Sequence, residues 1–187
     1  MPLEDIIAPN LRILFVGYNP SLRSAEVGHH FAGRNNGFWR ILHESGLTKQ
    51  RLFAEQDDRL RELGMGLTNL VARPTRAAAE LTAADYQQGR GELLEKLEQY
   101  QPRSICYVGI GLYKIFARRP RCDFGWQPQS VVEGIADFVA PSTSGLNRMP
   151  YQEQLTIYRH LAEWLAADAA TTNGQNSTVR RDAPSSQ

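Results

Sequence analysis

The chain has little of what several protein classes require. It carries two cysteines among 187 residues. Two thiols cannot supply the four ligands of an iron–sulfur cluster, and they do not make a disulfide framework. Cys106 sits inside the apolar run "SICYVG" and reads as a buried core thiol; Cys122 lies in the loop-like "RRPRCDFG". Four histidines are present, two of them adjacent (His29, His30), and neither HxxxH nor HxH occurs, so no metal site is expected. No apolar run approaches the roughly 20 residues of a membrane span. The opening "MPLEDIIAPN" lacks the basic-then-apolar layout of a secretory signal, so a cytoplasmic protein is expected, associated with the nucleoid if the source is bacterial. Excess charge of either sign is missing too. The net charge is +1, which argues against a polycation acting by mass attraction but permits a local basic face. There is no GxxxxGK[ST] loop and no GxSxG elbow. "GIGLYK" holds two glycines of a dinucleotide fingerprint and lacks the third.

What remains is an ordinary globular composition, with 42% hydrophobic and 22% charged residues. "RILFVG" (12–17) and "SICYVG" (104–109) read as buried strands. "NNGFWRILHESGL" spaces Phe38, Ile41, Leu42 and Ser45 on one helical face, with Asn35 or Asn36 as cap and Gly46 as stop. "DDRLRELGMGLTNLV" reads as a polar helix ending in a strand near residues 67–71. "TAADYQQGRGELLEKLEQYQP" predicts a helix capped by Thr82, with Tyr86, Leu93, Leu94 and Leu97 inward and Gly89 and Gly91 weakening its middle. "GLYKIFARR" predicts a short helix. "QSVVEGIADFVAPS" suggests two strands about a Glu-Gly turn. "PYQEQLTIYRHLAEWLA" is amphipathic, with Leu155, Tyr158, Leu161 and Leu165 on one side. From residue 169 on, apolar periodicity ends, and a disordered tail over 169–187 is expected after a domain over 1–168.

Alternating strands and helices predict an α/β domain, a three-layer α/β/α stack around a mainly parallel sheet. In such sheets the ligand crevice lies beyond the carboxyl ends of the strands. Two loops leave those ends. One is "GYNPSLRSAEVGHHFAGRNNGFW"; the other is "APSTSGLNR". In the first, Pro20 biases Asn19 toward an extended backbone, and its amide either closes an Asn-Pro turn or projects to hold a water or a base edge. Phe31, between glycines, either folds onto the core or stacks on a flat ligand. In the second, Leu146 stands on a tip of small polar residues before Arg148; it either tucks inward or wedges into a base stack. Arg118, Arg119 and Arg121 form a basic run, read either as a solvated face or as a phosphate contact.

"GYNPSLRSAEVGHHFAGRNNGFWRILHESGLT", "GLTNLVARPT", "QGRGELLEKLEQYQPR" and "PSTSGLNR" resemble, in that order, segments of the mismatch-specific uracil-DNA glycosylase and thymine-DNA glycosylase family. The similarity spans about Leu3 to Trp164. It implies a uracil-DNA glycosylase-like fold and hydrolysis of the N-glycosidic bond of uracil, with thymine as an alternative, opposite guanine. It implies duplex DNA as partner, an abasic-site product, a monomer, no membrane, and neither metal nor organic cofactor. Residue by residue, it implies that Asn19 positions the attacking water and that Thr68 assists nearby. Gly17, Tyr18 and Ser24 would contact the pyrimidine, and Phe31 would stack on it. Gly145, Leu146, Asn147 and Arg148 would enter the duplex. Two positions depart from the family's "GINPG": Tyr18 replaces an aliphatic residue and is expected to narrow the pocket against thymine, and Ser21 replaces a glycine. "STSG" stands where "NPSG" is common. A module that binds damaged or abasic DNA without cutting, and a nucleotide binder using "GIGLYK", are the alternatives.

Overall fold

The computed structural model describes residues 3–178. Five strands form one sheet in the order β2-β1-β3-β5-β4. These are β1 (Ile13–Gly17), β2 (Met65–Asn69), β3 (Ser104–Val108), β4 (Gly125–Trp126) and β5 (Ala136–Ala140). All neighbours run parallel except β4, which pairs antiparallel with β5 at the edge. Five α-helices flank the sheet: α1 (Leu22–Val27), α2 (Phe38–Glu44), α3 (Ala83–Tyr100), α4 (Ile110–Ala117) and α5 (Tyr151–Thr178). A 3-10 helix spans Ala54–Leu63. The three-layer α/β/α architecture expected from the alternating pattern is thus present.

Strand alternation divides the core in two. Ile13, Phe15, Cys106, Val108 and Phe138 point toward α2 and α5, where they meet Phe38, Leu42, Leu155, Tyr158 and Leu161. Leu14, Val16, Ile105, Tyr107 and Val139 point toward α3 and α4, where they meet Leu93, Leu97, Leu112 and Phe116. β1 and β3 bury both faces, which is why "ILFVG" and "SICYV" read as unbroken apolar runs rather than alternating ones. The two cysteines are free, Cys106 wholly buried.

Local signals match their elements closely. Thr82 caps α3, its Oγ1 accepting from the Asp85 amide (3.2 Å) while Asp85 accepts from the Thr82 amide (2.8 Å). Gly46 stops α2 in the left-handed region (φ 87°). Gly89, a weak point for helix propensity, is required by packing: a Cβ there would strike the Leu70 carbonyl where α3 crosses the exit of β2.

Three expectations change. β2 begins at Met65, two residues earlier than read, because Gly64 turns the chain with φ 69°. The hairpin about Glu133-Gly134 does not form; β5 pairs instead with the two-residue β4, and Ile135 closes a turn onto Val132. α5 is helical through Thr178, past residue 168, where the folded domain was expected to end. Residues 179–187 of the expected tail lie outside the described residues.

Candidate active site

A cleft of about 510 Å³ opens at the carboxyl ends of β1, β2, β3 and β5. Its walls come from the loops after all four strands, as the topology requires. The first loop is zipped to the loop after β2. The Leu70 amide donates to the Gly17 carbonyl (2.8 Å), Val71 to Tyr18 (2.9 Å), and Thr75 to Pro20 (3.2 Å).

This zipper fixes Asn19. Its Nδ2 donates to the Arg73 carbonyl (2.9 Å) and to Thr75 Oγ1 (2.8 Å). The Arg73 carbonyl can only accept. Thr75 spends its own hydroxyl proton on the Ala77 carbonyl (2.8 Å), so it too accepts from Asn19. Both amide hydrogens are therefore committed, and the orientation of the amide follows from the network. Asn19 Oδ1 has no donor among the described residues and is left as the acceptor at the cleft. The Asn-Pro segment is both a fixed platform and a presented amide.

Phe31 also lines the cleft. Its ring stacks on Phe38 (centroids 3.9 Å apart, planes 14° off parallel) and lies 3.4 Å from where a Cβ on Gly17 would stand. Its backbone sits at φ 52°, unfavourable for a bulky side chain. The residues on either side hold it there. The His30 amide donates to Asp57 Oδ2 (2.8 Å), and His29 Nδ1 meets Asp57 Oδ1 (3.0 Å). Trp39 Nε1 donates to the His30 carbonyl (3.2 Å). On the far side, the Ala32 amide donates to Ser24 Oγ (3.1 Å). Ser24 is buried at the cleft wall and braces the aromatic loop through this bond.

The base of the cleft holds Gly17 and Asn69. A Cβ on Gly17 would lie 2.7 Å from Asn69 Oδ1, so a larger residue there would displace the Asn69 amide. Thr68 does not line the cleft. Successive side chains of a strand face opposite sides, and Thr68 points to the face that α3 covers, where Lys96 reaches its hydroxyl (3.4 Å). There its Oγ1 donates to Asp5 Oδ1 (2.7 Å), and Lys96 pairs with Asp5 (2.6 Å). The threonine beside Asn19 is Thr75, and the polar group of β2 in the cleft is Asn69. Neither was singled out from sequence; both lie, with Thr68, in the one segment "TNLVARPT".

Tyr18 lines the third side. Its ring lies against Gly109 and Gly111 at the start of α4. Burial, then the neighbouring Tyr86, pushes its hydroxyl up to about 12, so it stays protonated. The ring lines the cleft on one side and rests against the glycine turn on the other. The same contact occupies "GIGLYK": its glycines make room for a tyrosine.

The second loop completes the rim. The Gly37 amide donates to the Thr143 carbonyl (2.8 Å), and Asn36 Oδ1 accepts from Thr143 Oγ1 (2.8 Å). A Cβ on Gly145 would lie 2.8 Å from Asn35, so a glycine is needed for the loops to meet. Asn147 anchors the tip by donating from Nδ2 to the Ser142 carbonyl (2.7 Å). Leu146 is 83% exposed at the mouth, and Arg148 is exposed beside it without lining the cleft. Leu146 does not tuck inward.

No aspartate or glutamate is among the described residues that line the cleft; its one permanent charge is Arg76. His30 is buried, and that burial lowers its imidazole below the ordinary 6.5; its Nε2 faces the Glu4 carbonyl (2.9 Å), so Nε2 carries the proton of the neutral ring. The basic run lies elsewhere. Arg118 ends α4 roughly 12 Å from the cleft end of that helix. Arg119 is spent on Tyr113 Oη (2.8 Å) and the Gln129 carbonyl (2.7 Å). No helix among the described residues is long and apolar enough to cross a membrane.

The uracil DNA glycosylase superfamily model matches residues 4–166, most of the chain. Among solved structures, a protein of Methanosarcina acetivorans, provisionally described as a uracil DNA glycosylase, superposes with a TM-score of 0.57 at 22% identity. The match covers 86% of this chain and 96% of that one. The likeness is one of fold.

Proposed function

The chain belongs to the uracil DNA glycosylase superfamily, and on that premise we propose that it hydrolyses the N-glycosidic bond of uracil opposite guanine in duplex DNA, leaving an abasic site. The observation that carries this reading is the cleft itself. An amide of fixed orientation with one free acceptor oxygen and a clamped aromatic ring line the same cleft, and no carboxylate is among the described residues that line it.

The target bond is out of reach in a stacked duplex, so the nucleotide is extruded at a cost of a few kcal/mol. A G·U wobble resists extrusion less than a paired A·U. Leu146, already exposed, fills the vacated stack, and the Gly145–Asn147 backbone faces the widowed guanine. Arg148 and Arg76 supply phosphate contacts. The flipped base lies on Phe31, a stack worth roughly 1–3 kcal/mol. The Asn69 amide, with one acceptor and two donors, can meet the edge of a pyrimidine.

Asn19 Oδ1 accepts a hydrogen bond from a water and aims it at C1′. An amide is no base near neutral pH, so the bond to N1 breaks heterolytically first, its electron pair leaving on the pyrimidine. The water oxygen then bonds to C1′ and gives up one proton to solvent, and the pyrimidine anion takes one from solvent. Placement of water and stabilisation of the anion carry the rate. Turnover is accordingly slower than in relatives with an aspartate at this position. The abasic-binding alternative drew its support from Tyr18 and Ser21, but Tyr18 lies in the glycine turn and the cleft stays open.

The test is single-turnover release from duplexes carrying G·U, A·U or G·T and from single-stranded uracil, with the parent and Asn19→Ala. Release from G·U well above A·U, lost in Asn19→Ala while DNA affinity persists, is expected. No release from any substrate, with tight binding to abasic duplex, would favour the binding module instead.

A further inference from the structure

We propose that Gly111 is a specificity-determining residue. The notch it forms with Gly109 stores the Tyr18 ring and thereby sets the width of the base cleft. This rests on the glycosylase reading for its meaning, though not for its geometry.

Tyr18 is the largest side chain to leave the carboxyl end of β1 into the cleft, and it stands where an aliphatic residue suffices in the resembling family. The ring needs somewhere to go. A Cβ on Gly109 would lie 2.9 Å from Tyr18 Cε2, and Gly109 has φ 133°, so that position accepts no other residue. Gly111 is different. It lies in α4 with no positive φ, so helix geometry tolerates alanine there and even favours it. The cost is steric and specific. A Cβ on Gly111 would overlap Tyr18 Oη well inside contact distance, whereas Tyr18 Cζ would stay at an ordinary 3.6 Å. The obstruction is one oxygen atom.

Away from the cleft, Tyr18 packs on the apolar layer under α3 and α4, with Tyr86 near enough to act on its hydroxyl. Its free side is the cleft that it lines. A methyl group on residue 111 therefore drives the ring toward the space for the base. A change of one methyl group in a fitted pocket is worth about 10–200-fold in discrimination.

The test is a cycle of parent, Gly111→Ala, Tyr18→Phe and the double variant. Free uracil affinity is read by amide NMR titration, uracil release from G·U in single turnover, and stability by thermal midpoint. In the parent background, Gly111→Ala should weaken both uracil affinity and release by about tenfold. In the Tyr18→Phe background the same change should cost less than about twofold, since the clashing oxygen is gone. Equal losses in both backgrounds would overturn the proposal, as would a fall in thermal midpoint with uracil affinity and release unchanged. A parent that binds uracil without releasing it sinks the glycosylase reading alone, and the affinity cycle then decides on the notch.

Discussion

Asp57 lies outside the cleft, yet its removal should slow base release through Phe31. The carboxylate is 5% exposed and holds the amide of His30, itself 1% exposed, at 2.8 Å. Asp57→Ala leaves that amide without its charged acceptor, a loss of about 1.5–3 kcal/mol. The His29 contact is partly in water and adds little. Phe31, next in the chain, holds a left-handed backbone costing roughly 1–2 kcal/mol, and it relaxes when its clamp is cut. Release of that strain offsets part of the loss, so global stability should fall by up to about 2 kcal/mol, or up to roughly 8 °C for a domain of this size. If the ring leaves its place on Phe38, up to about 1–3 kcal/mol of stacking on the base goes with it, a loss of about five- to a hundredfold in single-turnover release. The assay is a cycle with Phe31→Ala, run well below every midpoint. Asp57→Ala should cost activity in the parent and almost none in the Phe31→Ala background, while the thermal loss appears in both. Asp57→Asn, which keeps an oxygen for the His30 amide, should recover part of the rate. Equal rate losses in the two backgrounds would refute a route through Phe31, and a lower midpoint with an unchanged rate would show that the clamp serves folding alone.

Three further outcomes follow from the same geometry. Thr75→Val removes one of the two acceptors that orient Asn19, so release should fall about 2–10-fold with DNA affinity unchanged; an unaltered rate would mean the Arg73 carbonyl suffices. Leu146→Ala should leave stability within about 0.5 kcal/mol, since the side chain is 83% exposed, yet reduce release from duplex more than from single strands; equal loss on both rejects the wedge. His30 is held below its ordinary 6.5 by burial, so on acidification the unfolded chain takes up a proton that the folded one resists. Stability should be full above about pH 6.5 and decline beneath it, and His30→Gln, which keeps a donor for the Glu4 carbonyl, should flatten urea midpoints between about pH 5 and 6.5. An unchanged slope would place the acid sensitivity elsewhere.

Much of the fold was legible because burial wrote it plainly. β1 and β3 are apolar on both faces, and α3 and α5 carry caps or stripes that no other element explains. α1 was missed because it is only six residues long and buries only Ser24; its signal was the pair of stops, Ser21 accepting from the Ser24 amide and Gly28 at φ 76°. The false hairpin arose because "VVEG" reads as a strand and turn, whereas the partner of β5 is a Gly-Trp pair too short to announce itself. At the site, Asn19, Phe31 and Leu146 stand where their loops predicted, since loops after parallel strands converge on one edge. Thr68 misled because nothing short of the register of β2 tells which of "TN" faces the cleft. Thr75 belongs to a loop whose path is set by hydrogen bonds to Pro20 and Asn19, contacts 55 and 56 residues apart in sequence.

The chemistry assigned to this cleft is weak at each centre, and the structure is built accordingly. A carboxylate base would better tolerate imprecise placement, because its charge acts over several ångströms. An amide has no such reach; it helps only if its oxygen points at the right place before the substrate arrives. That is why Asn19 commits both hydrogens, and why the threonine that receives one of them commits its own. The same logic governs Phe31, which is held at an unfavourable backbone angle by bonds on both sides instead of being free to adjust. Preorganisation here substitutes for chemical strength. Mutations that loosen a support should therefore resemble, in kind and in partial degree, mutations of the groups they support.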